Sequence, residues 1–222
     1  MRMRRKKHLD EKISECTNLF EVPAITTDCR KLIEKKEYIN LYPYFNNTNP
    51  VHIEIGCGMG QFITELALKN PQINYIAVEI NRNVICAACH KAMELHIKNI
   101  LFLHCPAEIL QKYLPEHIAE RIYLNFSCPF PKKAYENKRL TNRRFLETYK
   151  YLLAEGAEIH QKTDNMHFFE YSLEQFSASG YRIQNVSLDL HNSNFEGNIE
   201  TEYERRFSRQ GMPIYRLEAY LA

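Results

Sequence analysis

Three glycines, Gly56, Gly58 and Gly60, alternate through "GCGMG", between the apolar run "VHIEIG" and the helical pattern "QFITELALKN". Glycine lets a chain turn tightly and lets its backbone approach a ligand where a Cβ would collide. A dinucleotide-binding loop needs its third glycine one residue later, where this chain has Gln61, so a bound pyrophosphate is disfavoured. A nucleoside without phosphates suits the loop, provided that an acidic residue ends the next strand and accepts hydrogen bonds from both ribose hydroxyls. Glu79 stands there, at the end of "NYIAVE", and Glu54 precedes the loop. These residues together point to S-adenosylmethionine; the plainer alternative is a glycine turn beside a solvated glutamate.

A second stretch, "NFSCPFPKK" at 125–133, follows the apolar "RIYLNF" and raises the question of what Cys128 does. Nucleophile, metal ligand and small packing residue are all open on residue type alone. Lys132 can pair with a phosphate or simply be solvated. It opens a basic cluster with Lys133, Lys138, Arg139, Arg143 and Arg144, and the arm Arg2, Arg4, Arg5, Lys6 and Lys7 forms another. Two such clusters in a chain of net charge +2 suit a phosphate backbone, because each contact releases condensed counterions. A solvated face and a loose tail are the alternative. "CAACH" at 86–90 matches the spacing of covalent haem attachment. It lies in a helical pattern without an export signal, and no second ligand pair has zinc-like spacing, so neither haem nor metal is expected.

The elements that must position these residues alternate. Strands are expected at "VHIEIG", "NYIAVEI", "NILFLH", "RIYLNF", "AEIHQKTD", "YRIQNVSLDL" and "PIYRLEAYL", with helices between them over 61–70, 83–97 and 144–153, near Ile109, and at "HFFEYSLEQFSASG". That order describes an α/β protein with an open, doubly wound, seven-stranded sheet, whose ligand belongs at the carboxyl ends of the strands. The 222 residues, 45% hydrophobic and 25% charged, suit one domain: an arm and extension at 1–50 packing on a core at 51–222. Residues 8–50, with "LYPYF", suggest helical turns and no chemistry. No apolar stretch reaches the ~20 residues that span a bilayer, and "MRMRRKK" is not followed by a signal-like segment. The expected location is cytoplasmic, away from membranes, with the seven cysteines reduced.

The ordered series "MRMRRKK", "IEIGCGMG", "YIAVEI", "RIYLNFSCPFPKK", "KRLTNRRF", "EIHQKTDN", "VSLDLHNSNFEGNIETEYE" and "PIYRLEAY" resembles the bacterial tRNA (guanine-N(7)-)-methyltransferases, the TrmB family, over nearly the whole chain. The resemblance implies a class I, Rossmann-like methyltransferase that moves the methyl of S-adenosylmethionine to nitrogen 7 of a variable-loop guanosine in tRNA. It places the cofactor carboxylates on Glu54 and Glu79. It places substrate contacts on Lys132, Asp164 and the "TEYE" segment, Thr201, Glu202, Tyr203 and Glu204. Four positions depart from the family pattern: Cys128 stands at a usual Asp, Phe130 at Trp, Met59 at Lys, and Pro106 at Asp. Pro106 has neither a carboxylate nor a backbone donor for an adenine.

Guanine nitrogen 7 carries a lone pair and no proton, so no general base is needed to make it nucleophilic. Positioning and exclusion of water remain, and Asp164 is the candidate to hold the base; capping the following helix is its structural alternative. Covalent catalysis has no role at such an atom, which leaves Cys128 as a small residue under the base, with Phe130 stacking and Ser127 free to hydrogen-bond. Two other readings stand: an RNA methyltransferase acting on an exocyclic amine, for which "SCPF" is a loose match, and a tRNA-binding protein of this fold with weak or no turnover. Either a monomer or a homodimer is compatible with the sequence.

Overall fold

The computed structural model describes residues 7–23 and 33–221. The chain divides into two compact units, Met1–Tyr113 and Leu114–Ala222. Arg2, Arg4, Arg5 and Lys6 of the basic arm lie outside the described residues, and Lys7 is exposed.

The first unit carries four parallel strands, β1 (Leu19–Glu21), β2 (Val51–Ile55), β3 (Asn74–Glu79) and β4 (Ile100–His104), in the order β1-β4-β3-β2. Every residue of β2 is buried, as is β3 up to Glu79, so the strands read as continuous runs rather than alternating ones. Among the described residues five α-helices accompany them: α1 (Leu9–Ser14), α2 (Tyr42–Phe45), α3 (Gln61–Lys69), α4 (Arg82–Glu94) and α5 (Leu110–Tyr113). Asn81 caps α4, its side chain accepting the Asn83 and Val84 N–H groups. Ile85, Ala88, Cys89 and Ala92 then turn one face of α4 into a core with Tyr75, Ala77 and Phe102. Small side chains on that face let the helix sit close to the strands.

The second unit carries β5 (Ala119–Asn125), β6 (Leu153–Thr163), β7 (Tyr181–Ser187) and β8 (Tyr215–Leu221), in the order β5-β6-β8-β7. β5 and β6 run parallel, whereas β8 is antiparallel to both β6 and β7. Its helices are α6 (Arg143–Leu152), α7 (Met166–Ala178) and α8 (Glu202–Ser208). Asn142 caps α6, and Asn165 caps α7 by accepting the Phe168 N–H at 2.8 Å.

The described residues thus form eight strands, one more than the seven expected. The addition is β1, a three-residue piece too short to show any periodicity, which the register Leu19↔Phe102 to Glu21↔His104 fixes against β4. Helix α6 gives way to β6 after Leu152, and Gly156 lies inside that strand with φ 74°. No helix among the described residues is long and apolar enough to cross a membrane.

Candidate functional site

In the first unit the turn after β2 is built by backbone bonds to β3: the Gly56 and Cys57 N–H groups both donate to the Val78 carbonyl, at 2.8 and 3.0 Å. Gly56, Gly58 and Gly60 have φ of 81°, 55° and 75°, the left-handed region that costs other residues energy. A Cβ on Gly60 would lie 2.8 Å from that of Ala88, whereas one on Gly58 would meet nothing within 4 Å. Gly60 is therefore needed for the close approach of α4, and Gly58 leaves room above the loop.

The Glu79 carboxylate ties this turn together. Oε2 accepts the Gly58 N–H at 3.2 Å, and Oε1 accepts the Asn81 N–H at 2.8 Å. A carboxylate has about four acceptor positions, so each oxygen keeps one for a ribose hydroxyl. Glu54 is buried on β2, in register with Ala77. Burial, followed by the charges of Glu54 and Glu79, pushes the Cys57 thiol well above its ordinary range, which leaves it protonated. Met59 is exposed, and Pro106 begins the short turn Ala107–Ile109 after β4. The loop fits S-adenosylmethionine on the open space at Gly58 and the remaining acceptor capacity of Glu79.

In the second unit the chain after β5 turns sharply, with Phe126 at φ 48° and Phe130 at φ 40°. Such values are outliers for aromatic residues and persist only where the surroundings hold them. Arg139 does so at Phe130: Nε donates to the Pro129 carbonyl at 2.9 Å and Nη2 to that of Phe130 at 3.2 Å, while the guanidinium lies 4.3 Å from the centre of the Tyr171 ring. One member of the expected phosphate-binding cluster thus shapes the "SCPF" loop instead. Lys132, Lys133, Lys138, Arg143 and Arg144 are exposed, and so is Cys128. The Ser127 Oγ is shielded and has no hydrogen-bond partner among the described residues.

Asp164 follows β6, and the cap of α7 is its neighbour Asn165, so the structural alternative for Asp164 is taken by another residue. The Tyr203 hydroxyl donates to Asp164 Oδ2 at 3.5 Å, and the Tyr203 ring packs on Phe126 at 5.2 Å and on Phe207 at 4.4 Å. Burial and the Asp164 charge raise the Tyr203 hydroxyl above its ordinary value, so it stays a donor. Thr201 and Glu204 form a capping box at the start of α8, and Glu204 also pairs with buried Lys162. Glu202 is the first residue of α8. Of the "TEYE" residues, then, Tyr203 is brought to Asp164, while Thr201 and Glu204 hold their helix. Phe126 and Arg139 are the residues that sequence reasoning missed at this site.

A further cluster, Glu158, His160 and Glu218, has ligand atoms within 4.8 Å of one another on β6 and β8. Arg121 reaches Glu158 at 3.2 Å and Arg216 pairs with Glu218, so cations of the chain already meet the carboxylates. Burial holds His160 below its ordinary value, which suits a buried ion-pair network.

A glycine turn between a parallel strand and a helix, with an acidic residue ending the next strand, defines a class I methyltransferase. Residues 48–217 match the model of a family described as "Putative methyltransferase". Among solved structures, the 16S rRNA methyltransferase KamB is similar with a TM-score of 0.61 at 14% identity, covering 84% of this chain and 95% of that one. A SAM dependent methyltransferase from Aquifex aeolicus has a TM-score of 0.55 at 14% identity, covering 89% and 100%. These identities speak for the fold alone. Two relatives named tRNA (guanine-N(7)-)-methyltransferase carry more: one from Geobacillus sp. (strain WCH70) is 53% identical over 174 residues, 78% of this chain and 79% of its own length. One from Bacillus licheniformis is 43% identical over 220 residues, 99% and 98% of the two chains. The chain belongs to the bacterial tRNA (guanine-N(7)-)-methyltransferase family and is an S-adenosylmethionine-dependent enzyme.

Proposed function

We propose that this enzyme transfers the methyl group of S-adenosylmethionine to nitrogen 7 of the variable-loop guanosine of tRNA, in the cytoplasm, with residues 51–222 as its methyltransferase domain. The observation that carries the reading is the 43% identity, across 99% of the chain, to a relative of that name. When bound, the cofactor supplies an electrophilic methyl on a sulfonium. The task left to the chain is to hold the base so that the nitrogen lone pair meets that methyl at roughly 3 to 3.5 Å with water excluded.

Glu79 and the glycine turn serve the nucleoside end of the cofactor, with Glu54 behind them. Asp164 serves the base: a carboxylate accepts hydrogen bonds from the donor edge of guanine and stabilises the cation that methylation creates. The 3.5 Å contact from the Tyr203 hydroxyl supports this role, since it orients the carboxylate. The Phe126 and Tyr203 rings supply a face on which a base can stack. Lys132, exposed at the end of the "SCPF" loop, takes a phosphate. Cys128 has no covalent task, and Ser127 has a hydroxyl to spare.

Incubation with unmodified tRNA and S-adenosylmethionine tests the reading. Release of S-adenosylhomocysteine, with strand scission at one guanosine after borohydride and aniline, is the expected result. Release with the methyl on an exocyclic amine would establish the other regiochemistry, and tRNA binding without release would make the chain a binder.

A further inference from the structure

The first unit gathers three sulfurs and an imidazole away from the glycine turn. Cys86, Cys89 and His90 lie on α4 at spacings of three and four residues, which places them on one helix face. Cys16 comes to that face from the turn after α1. The ligand atoms of Cys16, Cys86 and His90 all lie within 4.8 Å of one another. Cys89, beside them but outside that group, donates its thiol to Asn18 Oδ1 at 3.0 Å.

We propose that Cys16, Cys86 and His90 form three ligands of a tetrahedral site for a thiophilic d10 cation, Zn2+, that joins α1 to α4, with the fourth position open to solvent. Two thiolates and one imidazole with water in the fourth position are a known zinc donor set, with Zn–S of about 2.3 Å and Zn–N of about 2.0 Å. Those lengths put ligand atoms roughly 3.5 to 3.8 Å apart, so closing from 4.8 Å takes about an ångström of side-chain movement. All three cysteines are buried, and His90 is partly exposed. A cavity of about 410 Å³, lined by Lys12, Glu15, Asn83, Cys86, His90 and Lys91, gives an ion its way in.

The surroundings suit such an ion. His90 Nε2 lies 2.9 Å from the Lys12 carbonyl; a proton held there leaves the lone pair of Nδ1 for a metal and fixes the ring. The protons of the two thiols leave to solvent as the ion binds, which makes binding tighter as pH rises. Packing alone asks only for small apolar side chains, and the Ala88 and Ala92 positions of α4 already supply those.

The test uses the full-length protein, reduced, stripped with a chelator and titrated with Co2+ alone. One equivalent is expected to give the visible bands of tetrahedral cobalt together with near-ultraviolet thiolate-to-cobalt charge transfer, both removed by Zn2+. Cys86→Ser should weaken the charge-transfer band, His90→Ala should lower Co2+ affinity at least about tenfold, and Cys105→Ala and Cys128→Ala should leave the spectrum unchanged. His90 is partly exposed, so its variant tests the site even where Cys86→Ser fails to fold. Absence of charge transfer in the parent, or bands that survive both Cys86→Ser and His90→Ala in folded protein, would overturn the proposal.

Discussion

Lys162 Nζ lies 2.7 Å from Glu204 Oε2, with both side chains buried, and the same ammonium donates to the Ile199 carbonyl at 2.8 Å and to Asn198 Oδ1 at 3.1 Å. This ties β6 to α8 and places Glu204 in a structural task. Removing one partner of a buried pair leaves the other charge uncompensated, at a cost of about 3 to 5 kcal/mol. Glu204→Gln should therefore lower the melting temperature by roughly 6 to 20 °C, at ~2 to 4 °C per kcal/mol for a chain of this size. The folded fraction should keep its tRNA affinity. Lost tRNA binding with an unchanged melting temperature would return Glu204 to the substrate.

Glu79→Ala removes the acceptor proposed for both ribose hydroxyls and frees the Gly58 and Asn81 N–H groups. Charge-assisted hydrogen bonds are worth about 1.5 to 3 kcal/mol each, so affinity for S-adenosylmethionine should fall tenfold or more. Calorimetry that gives the parent's affinity would refute the assignment.

Gly58 and Gly60 separate two costs of a side chain on the same turn. Both have positive φ, which costs an alanine about 1 to 2 kcal/mol, but only Gly60 also meets Ala88. Urea denaturation should show Gly60→Ala less stable than Gly58→Ala by a further ~1 to 3 kcal/mol, the usual cost of overpacking. Equal losses would show that α4 gives way freely.

Cys128→Ala should keep most of the methyl transfer, because the attacking lone pair belongs to the base. Cys128→Asp restores the residue usual in the family and should raise turnover if the loop tolerates the charge. A folded Cys128→Ala protein that binds cofactor and tRNA yet transfers nothing, or a trapped adduct with RNA in the parent, would point to covalent chemistry.

Glu21 should contribute to acid sensitivity. Its hydrogen bonds from Arg82, at 2.6 and 2.9 Å, are the main reason that its carboxyl sits below the ordinary 4.5, against the opposing effect of burial. A folded value below the unfolded one stabilises the fold fully above pH 4.5, and the contribution fades as pH falls through the folded value. The stability gap between parent and Glu21→Gln should narrow below pH 4.5 in thermal denaturation. A gap constant with pH would mean that the pair with Arg82 contributes nothing.

How much the sequence revealed depended on the range of the signal. The glycine turn and Glu79 were legible because one strand, one turn and the next strand place them, all within local reach. Asp164 reads from the sequence as the residue that follows a strand, and only the structure assigns the helix cap to Asn165. Arg139 read as surface charge, since nothing in "KRLTNRRF" reveals that its guanidinium faces the Pro129 and Phe130 carbonyls. Cys16 was equally invisible as a neighbour of "CAACH", because the approach depends on α1 docking far from it in sequence. Helix α8 had a local signal, the Thr201–Glu204 spacing of a capping box, that a long polar segment masked.

The short strand β1 also has a protective consequence. It covers β4, whose "ILFLH" is apolar and whose outer edge would otherwise present a row of open backbone donors and acceptors, a template for another chain. β1 itself makes a poor template, being only three residues long and ending in Glu21, which Arg82 holds in an ion pair and His104 Nδ1 approaches at 3.2 Å. The N-terminal extension therefore covers this edge, and shortening it past Glu21 would open the edge of β4 and also take Leu9, Ile13 and Cys16 out of the core beside α4.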